Sequence, residues 1–544
     1  MMKWNTKMLF TMLCMFALQV TGCGSQTTGI TESAQEEAKE DVIEVVAEEY
    51  NLLPAAEGFA GGDGSKENPY QIASAEQLTY MSEMVNGESS DAYKFREGYY
   101  VLTADVELNN LSNFNNWKTQ APEYEWKPIG SSAANTFKGH FNGNGHVIKG
   151  MYIENDYTFS NENISGDGSS IGLFGYLSKA TVENVVIEDS LIVANRDVVY
   201  AGSIAGSAMA SEIVNCRSSA QMNINMAEKC GGIIGHAANS DDFEGNIGMQ
   251  SIKNCVFDGH LNFLNPAEKR SFDVGGIAGY AAGVLEDCSN KGTMQLEGEY
   301  TAVLHEIGGV VGNYSSGNYS MSGCVNEADI VVKGSPYLGG ICGNFGGMSS
   351  FSGESEAVNT SLLNCTNAGN ISASGEESCV GGILGGIGLL GGDSFLIKDC
   401  ANSGNVSGGL HVGGICGESI SNRMQWELVN CTNAGGVDSG LWSGGIIGYI
   451  GSVQIESAVK NCINEGNISG KQYVGGIAGG YFSYNVADAE KRAPFTIESC
   501  ENKGAVSQSE SGILGVGGII GYLQLDTVMD TIYVDGCKNS GVIS

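Results

Sequence analysis

Residues 431–448 read CTNAGGVDSGLWSGGIIG, and residues 462–479 read CINEGNISGKQYVGGIAG. Both stretches begin with Cys-x-Asn-x-Gly and end with Gly-Gly-Ile-x-Gly, and the second begins 31 residues after the first. A recurring unit of this length predicts a protein built from stacked structural repeats. The Gly-Gly-Ile/Val-x-Gly string begins at Gly231, Gly275, Gly308, Gly339, Gly381, Gly413, Gly444, Gly475 and Gly517.

The second mark of the unit is a cysteine that recurs between these strings, at Cys216, Cys255, Cys288, Cys324, Cys365, Cys400, Cys431, Cys462, Cys500 and Cys537. Asparagine stands two residues later in eight of the ten copies. We interpret the asparagines as a structural ladder in which each amide bonds the next across coils. The cysteines are interpreted as a file of small buried side chains, with free thiols favoured because stacked side chains point the same way; some disulfide pairing stays open.

The composition of the repeat favours strands over helices. Three glycines within five residues would each cost a helix about 1 kcal/mol relative to alanine. The apolar runs are short, rich in Val and Ile, and bounded by Asn and Gly, which is typical of strands and turns. We therefore predict an all-β chain with three short strands per unit, stacked into a parallel β-solenoid of roughly 10–12 coils.

The N-terminus has the features of a secretion signal. Lys3 and Lys7 precede an apolar run that ends in Val-Thr-Gly-Cys at Cys23. This end resembles a bacterial lipobox, which implies a lipoprotein signal peptide over 1–22, lipidation of Cys23 and anchoring to the outside of the bacterial cell membrane; ordinary secretion is the alternative. The segment 23–60 is acidic and is interpreted as a disordered tether.

An N-terminal cap is predicted between the tether and the repeats. Ser74 and Gln77 form a capping box, and Leu78 and Met81 lie on one apolar face of the helix that follows. Such a helix would cover the first open coil of a solenoid. We assign 61–170 to the cap and the first irregular coils, and 171–544 to the repeats.

Charge and motifs exclude several functions. The chain has 62 acidic and 27 basic residues, a net charge of −35, so nucleic acid is an unfavourable partner. The six histidines are scattered and Cys-x-x-Cys is absent, so we expect no metal site and no cofactor.

The repeats and the segment that precedes them resemble the GLUG-motif proteins of bacterial surfaces. That opening segment includes Gly62-Asp63-Gly64, Trp126-Lys127-Pro128-Ile129-Gly130 and Phe137-Lys138-Gly139-His140-Phe141-Asn142-Gly143. The resemblance implies a right-handed β-helix on the cell surface, often in adhesin-like proteins. Similar repeats accompany immunoglobulin A1 metallopeptidases, whose His-Glu-x-x-His motif is incomplete here, because His305-Glu306 lacks the second histidine.

The leading functional hypothesis is therefore a non-enzymatic, adhesin-like surface lipoprotein that binds host glycan, matrix protein or neighbouring cells. A polysaccharide lyase or hydrolase and a passive spacer are the alternatives. For hydrolysis the nearest carboxylate pairs are Asp241-Asp242 and Asp526/Asp530.

Long insertions follow the glycine-rich string, and the insertion 481–495 is rich in aromatic residues. Tyr481, Phe482 and Tyr484 are the candidate ligand-binding residues. The alternative is that these rings fold back and shield apolar surface.

The lipobox interpretation makes a direct prediction. Replacing Cys23 with Ala removes the thiol that the lipid would modify, so metabolic labelling with a radioactive fatty acid should be lost and the protein should be unprocessed or released. Cys14→Ala, within the apolar run, is the control and should keep its label. Labelling that persists in Cys23→Ala would show that the lipobox interpretation is wrong.

Overall fold

The computed structural model is a parallel β-helix whose coils each contain five short strands, rather than the three predicted. In a representative coil, strand positions β1 to β5 are Ser457–Lys460, Ile463–Asn464, Ile468–Gly470, Val474–Gly475 and Ala478–Phe482. Equivalent strands of successive coils pair in parallel. The predicted all-β solenoid is confirmed, but its coil has more corners than the sequence indicated.

The structure describes residues 51–155, 169–194, 198–225, 227–241, 247–264, 272–300, 305–315, 317–346, 359–388, 391–420, 423–451, 453, 455–482, 493–509, 515–525 and 531–544. Within these residues, the β1 strands form a 14-stranded sheet and the β2 strands a 13-stranded sheet. Positions β3, β4 and β5 each form an 11-stranded sheet, which agrees with the predicted number of coils.

The first three sheets run the length of the solenoid. Position β1 begins with Tyr70–Ile72 and ends with Ile532–Asp535. Position β2 runs from Val106–Glu107 to Lys538–Asn539, and position β3 from Tyr152–Asn155 to Val506–Gln508.

The last two sheets flank the glycine-rich string. The β4 strands are Ser169–Ile171, Val198–Gly202, Ala227–Gly231, Phe272–Gly275, His305–Gly308, Tyr337–Gly339, Cys379–Gly381, His411–Gly413, Trp442–Gly444, Val474–Gly475 and Val516–Gly517. The β5 strands are Phe174–Ser178, Ala205–Met209, Ile234–Ala238, Ala278–Ala281, Val311–Tyr314, Cys342–Phe345, Leu384–Ile387, Cys416–Ser419, Ile447–Gly451, Ala478–Phe482 and Ile520–Gln524. The string is thus split between two strands by its paired glycines.

The corner between β1 and β2 places each repeat cysteine in a turn rather than in a strand. The residue before each repeat cysteine has a positive φ, for example 57° at Asn430, 54° at Asn461 and 53° at Ser499. Asn, Asp and Gly tolerate this left-handed conformation best, and they occupy nine of the ten corners. Strand β1 therefore ends two residues before the cysteine, as Ser457–Lys460 does before Cys462, and the cysteine lies in the turn.

The predicted asparagine ladder is confirmed. From Asn290 to Asn539, each side-chain Nδ2 donates to Oδ1 of the next asparagine at 2.7–3.0 Å. In most coils the same Nδ2 also donates to the carbonyl two residues later, as from Asn433 to Gly435 at 2.8 Å. The amides are fully buried along most of the ladder, so these bonds satisfy polar groups that water cannot reach.

The ladder fits inside the coil because the second glycine of the string lies against it. A Cβ on Gly414 would come within 2.3 Å of Asn433 Cγ, and one on Gly445 within 2.4 Å of Asn464 Cγ. In the coil where phenylalanine replaces the asparagine, Gly232 faces Phe257 in the same way. The glycine-rich string and the Cys-x-Asn mark are therefore two halves of one packing contact.

The repeat cysteines pack beside the ladder with free thiols. Cys462 Sγ, for example, donates weakly to the carbonyl of Lys460 at 3.4 Å and to that of Leu428, one coil back, at 3.6 Å. From Cys216 to Cys500 they are buried in the same apolar cluster as the Val and Ile side chains. Of the two alternatives left open by the sequence, the structure has the file of small buried thiols.

The N-terminal cap contains two helices, α1 (Ala75–Asn86) and α2 (Ala92–Arg96), besides short 3-10 turns at Leu111–Asn116 and Ala133–Asn135. Ser74 accepts from the Gln77 amide as predicted, and the buried face of α1 joins the solenoid core. No helix among the described residues has the length and apolar character needed to cross a membrane.

The ladder generates a stability prediction. Asn433→Ala removes bonds to Asn402, Asn464 and Gly435 in a fully buried site, so we expect a loss of about 2–4 kcal/mol in the free energy of unfolding. Asn539 is the matched control, because it occupies the same ladder position in an exposed coil. Denaturant unfolding should show Asn539→Ala losing about 1 kcal/mol or less; equal losses in the two variants would contradict a role for burial.

Candidate functional site

The outer faces of β4 and β5 carry two files of side chains that do not repeat. Along β4 the side chains alternate, so Val380 and Val412 point into the core while Cys379 and His411 point outward. The outward β4 file is Tyr200, Lys229, Asp273, Glu306, Tyr337, Cys379, His411, Trp442 and Tyr473. The β5 file is Ser207, His236, Tyr280, Asn313, Asn344, Gly386, Glu418, Tyr449, Gly480 and Tyr522. We call these two files together the seam.

The two files contact each other across the seam. The rings of His411 and Tyr449 stack at 4.3 Å, and those of Tyr200 and His236 stack at 4.7 Å. Trp442 and Tyr449 are more than nine-tenths buried and yet lie outside the apolar core cluster. The chain therefore bends at the glycine pair between β4 and β5, and the outward side chains of these two strands cover each other.

One end of the seam holds a charged cluster. Lys229 Nζ lies 2.7 Å from Asp273 Oδ2 and 4.8 Å from the centre of the Tyr280 ring. Burial alone would lower the pKa of Lys229, but the Asp273 carboxylate more than offsets this and the pKa is raised. Burial lowers the pKa of His236 beside it to about 4, with a contribution from Lys229, so this histidine is neutral at pH 7.

Asp273 and Glu306 place two carboxyl groups side by side in adjacent coils. Both are more than nine-tenths buried. Burial, reinforced by the Asp273 carboxylate, raises the pKa of Glu306 well above its usual value. Glu306 therefore tends to stay protonated, while the Asp273 carboxylate pairs with Lys229. Two carboxyl groups whose environments differ in this way can act as an acid and a base.

The middle of the seam holds Cys379, His411 and Glu418, whose ligand atoms all lie within 4.8 Å of one another. Cys379 Sγ lies 3.6 Å from His411 Nδ1, and Glu418 Oε2 hydrogen-bonds the same nitrogen. Burial and the Glu418 carboxylate raise the pKa of Cys379 well above its usual value. Burial would raise the pKa of Glu418 as well, but His411 and then Tyr337 reverse this and lower it.

The other end of the seam is an aromatic cluster. Tyr473 stacks on Trp442 at 4.2 Å, and Tyr522 lies 4.5 Å from Tyr473 and 5.9 Å from Trp442. Tyr473 and Tyr522 are partly exposed. Such a cluster offers ring faces and phenol groups to a ligand from outside the coil.

The chain is similar to two named proteins, although no protein-family model matches it. It is 31% identical over 168 residues to a protein named as a Gly-rich membrane protein from Evansella cellulosilytica, covering 30% of this chain and 16% of that one. It is 25% identical over 174 residues to halomucin from Haloquadratum walsbyi, covering 32% of this chain and 2% of halomucin. The matches thus span a small part of both relatives.

Among solved structures, the chain is similar to a protein assigned as an immunoglobulin A1 protease from Bacteroides ovatus. The identity is 16%, the coverage is 89% of this chain and 87% of that one, and the TM-score is 0.22. This TM-score is too low to support an inference about fold or function, so the fold is assigned from the strand pairing of this chain.

The sequence-predicted binding residues are not brought together on an exposed loop. Of the two alternatives left open for these rings, Tyr481 takes the second and folds into the core: it ends a β5 strand, is 3% exposed and packs 6.1 Å from the buried Phe495 ring. Alternation along β5 points it inward, because Gly480 before it faces the seam. Phe482 is partly buried on the same strand. Tyr484 and Cys23 lie outside the described residues.

The seam could not be predicted from the repeat pattern, because its residues differ from one coil to the next. The paired carboxylates proposed for an enzyme, Asp241-Asp242 and Asp526/Asp530, are not those of the seam, and three of the four lie outside the described residues. The usable signal is position: seam residues stand two before the first glycine of each string or directly after its last glycine. Histidines and cysteines that are far apart in the sequence become neighbours there, because residues one repeat apart occupy equivalent positions in adjacent coils.

The carboxyl pair predicts a pH dependence. The folded-state pKa of Glu306 exceeds the 4.5 of an unperturbed glutamate, so its contribution to stability is present below pH 4.5 and is lost as the pH rises through the folded-state pKa. Glu306→Gln mimics the protonated form, so the thermal midpoint should fall less with rising pH than in the parent. The exposed Glu228→Gln should keep the parent profile; matching profiles for the parent and Glu306→Gln would contradict the assignment.

Proposed function

We propose that this chain is a bacterial surface β-helix that binds neutral glycan at the partly exposed rings of the seam, without turning it over, as an adhesin-like lipoprotein anchored through Cys23. The observation that carries the proposal is the seam itself, a non-repeating strip of aromatic and hydrogen-bonding side chains on a repeating scaffold. Ring faces stack on the apolar faces of sugars, and carboxylates and amides bond their hydroxyl groups. The GLUG resemblance and the similarity to a named membrane protein support a surface location.

The charge of the chain narrows the ligand class. A net charge of −35 repels polyanionic sugars and nucleic acids over the whole surface. The seam has one lysine in the described coils, and Asp273 already pairs with it. A neutral glycan avoids this repulsion, and therefore we favour it over sulfated or uronic-acid polymers.

A carbohydrate-active enzyme is the second candidate, because of the Asp273 and Glu306 pair. Glycoside hydrolysis needs a protonated acid beside an ionised carboxylate, and the raised pKa of Glu306 supplies such a difference. Against it, both side chains are more than nine-tenths buried, which leaves little room for a sugar ring between them. Binding without turnover is thus the better-supported proposal.

Retention on immobilised neutral and acidic glycans tests the proposal, followed by product analysis of every hit. Tyr280→Ala and Tyr522→Ala remove one partly exposed ring at each end of the seam, and at least one should weaken retention about tenfold. Tyr93→Ala is the matched control, since Tyr93 is 56% exposed and lies in the cap.

Each outcome separates the candidates. Retention that depends on the seam, with no product, supports the adhesin; product that disappears in Asp273→Asn supports the enzyme. Retention that is equal in all variants places the site elsewhere, and no retention by any glycan leaves a spacer. The thermal midpoint of each variant is measured on the same sample, so that unfolding is not mistaken for lost binding.

A further inference from the structure

We propose that Cys379, His411 and Glu418 form a binding site for a divalent transition metal, with Zn²⁺ as the ion that the donor set fits best. The three side chains come from two adjacent coils: Cys379 and His411 are register partners on β4, and Glu418 is on β5 of the same coil as His411. They supply one sulfur, one nitrogen and one oxygen, all of which zinc accepts. The site does not depend on the proposed glycan binding.

The geometry favours a metal over a catalytic triad. In a nucleophile–histidine–carboxylate triad, the nucleophile and the carboxylate use opposite nitrogens of the imidazole ring. Here Cys379 Sγ and Glu418 Oε2 both approach His411 Nδ1. Three donor atoms of different residues therefore converge on one point rather than forming a relay.

The sulfur–nitrogen distance matches a tetrahedral ion, whereas His411 Nδ1 and Glu418 Oε2 are in hydrogen-bond contact and would have to move apart to share the ion. Zinc–sulfur bonds of about 2.3 Å and zinc–nitrogen bonds of about 2.0–2.1 Å, at a tetrahedral angle, place sulfur and nitrogen about 3.6 Å apart. Cys379 Sγ and His411 Nδ1 are 3.6 Å apart. Binding would replace the His411–Glu418 hydrogen bond with two bonds to the ion, and the proton of that hydrogen bond and the thiol proton would both be released to solvent. Three protein ligands leave the fourth position for water or another ligand.

Neighbouring side chains already orient two of the three donors, Glu418 and His411. The Tyr337 hydroxyl donates to Glu418 Oε1 at 2.7 Å, which leaves Oε2 directed at His411. The Tyr449 ring stacks on His411 with an angle of 13° between the planes and fixes the imidazole orientation. Such supporting contacts are typical of metal ligands.

A missing side chain makes this support possible. Tyr337 reaches Glu418 from two coils away, a separation of 81 residues in sequence. It passes over Gly386, where a Cβ would lie 2.5 Å from the tyrosine ring. The seam position between Asn344 and Glu418 is thus kept empty for the tyrosine.

The experiment uses the full chain, stripped of metal with a chelator and titrated with ZnCl₂ or CoCl₂. The parent should bind one ion that Cys379→Ala does not, and its Co²⁺ form should show the near-ultraviolet charge-transfer band of a thiolate–cobalt bond. Cys230→Ala is the matched control, because Cys230 lies on β4 one residue nearer the glycines and points into the core. It should keep both the ion and the band.

Two further variants guard against misfolding. Glu418→Gln keeps the shape of the side chain and should weaken zinc binding, and Tyr337→Phe, which removes only the supporting hydroxyl, should weaken it about 10–100-fold. Circular dichroism of each variant should match the parent. A parent without a bound ion, or an ion and band that survive in Cys379→Ala, would overturn the proposal.

Discussion

The contact between the second glycine of each string and the asparagine ladder is the constraint on which the coil depends. It joins the two sides of the coil interior at a distance that excludes any side chain at the glycine, as where Gly445 lies against Asn464. The asparagine in turn needs both neighbouring coils, because Asn464 Oδ1 accepts from Asn433 in the preceding coil and Asn464 Nδ2 donates to Asn502 in the next. Each coil is thus completed by its neighbours, as expected of a quasi-one-dimensional fold.

This contact also determines where the chain turns. The glycine pair ends β4 and the next residues begin β5, so the outward faces of the two strands come together beside the turn. The rings of His411 and Tyr449, on either side of one such turn, stack at 4.3 Å. The same glycines that pack against the asparagine ladder thus also produce the seam. Each coil contributes one β4 residue and one β5 residue to it.

The period, the asparagine ladder and the α1 cap could be predicted from the sequence because they depend on repeated or strictly local patterns. The number of strands could not, because strands such as Ile463–Asn464 and Val474–Gly475 are only two residues long and too short to show an alternating pattern. The orientation of Tyr481 stayed open at the sequence level, because an apolar ring beside an insertion has the same local pattern whether it turns outward or into the core. His411 and Cys379 are 32 residues apart, so their proximity follows from register rather than from sequence spacing.

The non-repeating character of the seam is the strongest argument that it carries function. Core positions of a solenoid must resemble their neighbours, because each stacks on its equivalent in the next coil at strand spacing. The seam positions stack in the same way, and yet they place Lys229 on Asp273 and Cys379 on His411. Burying such groups costs free energy unless they bond each other or a ligand, and an apolar ladder would fold as well. Lys229 and Asp273 offset part of this cost by pairing with each other, and a ligand bound at the seam, as proposed above, would offset more of it.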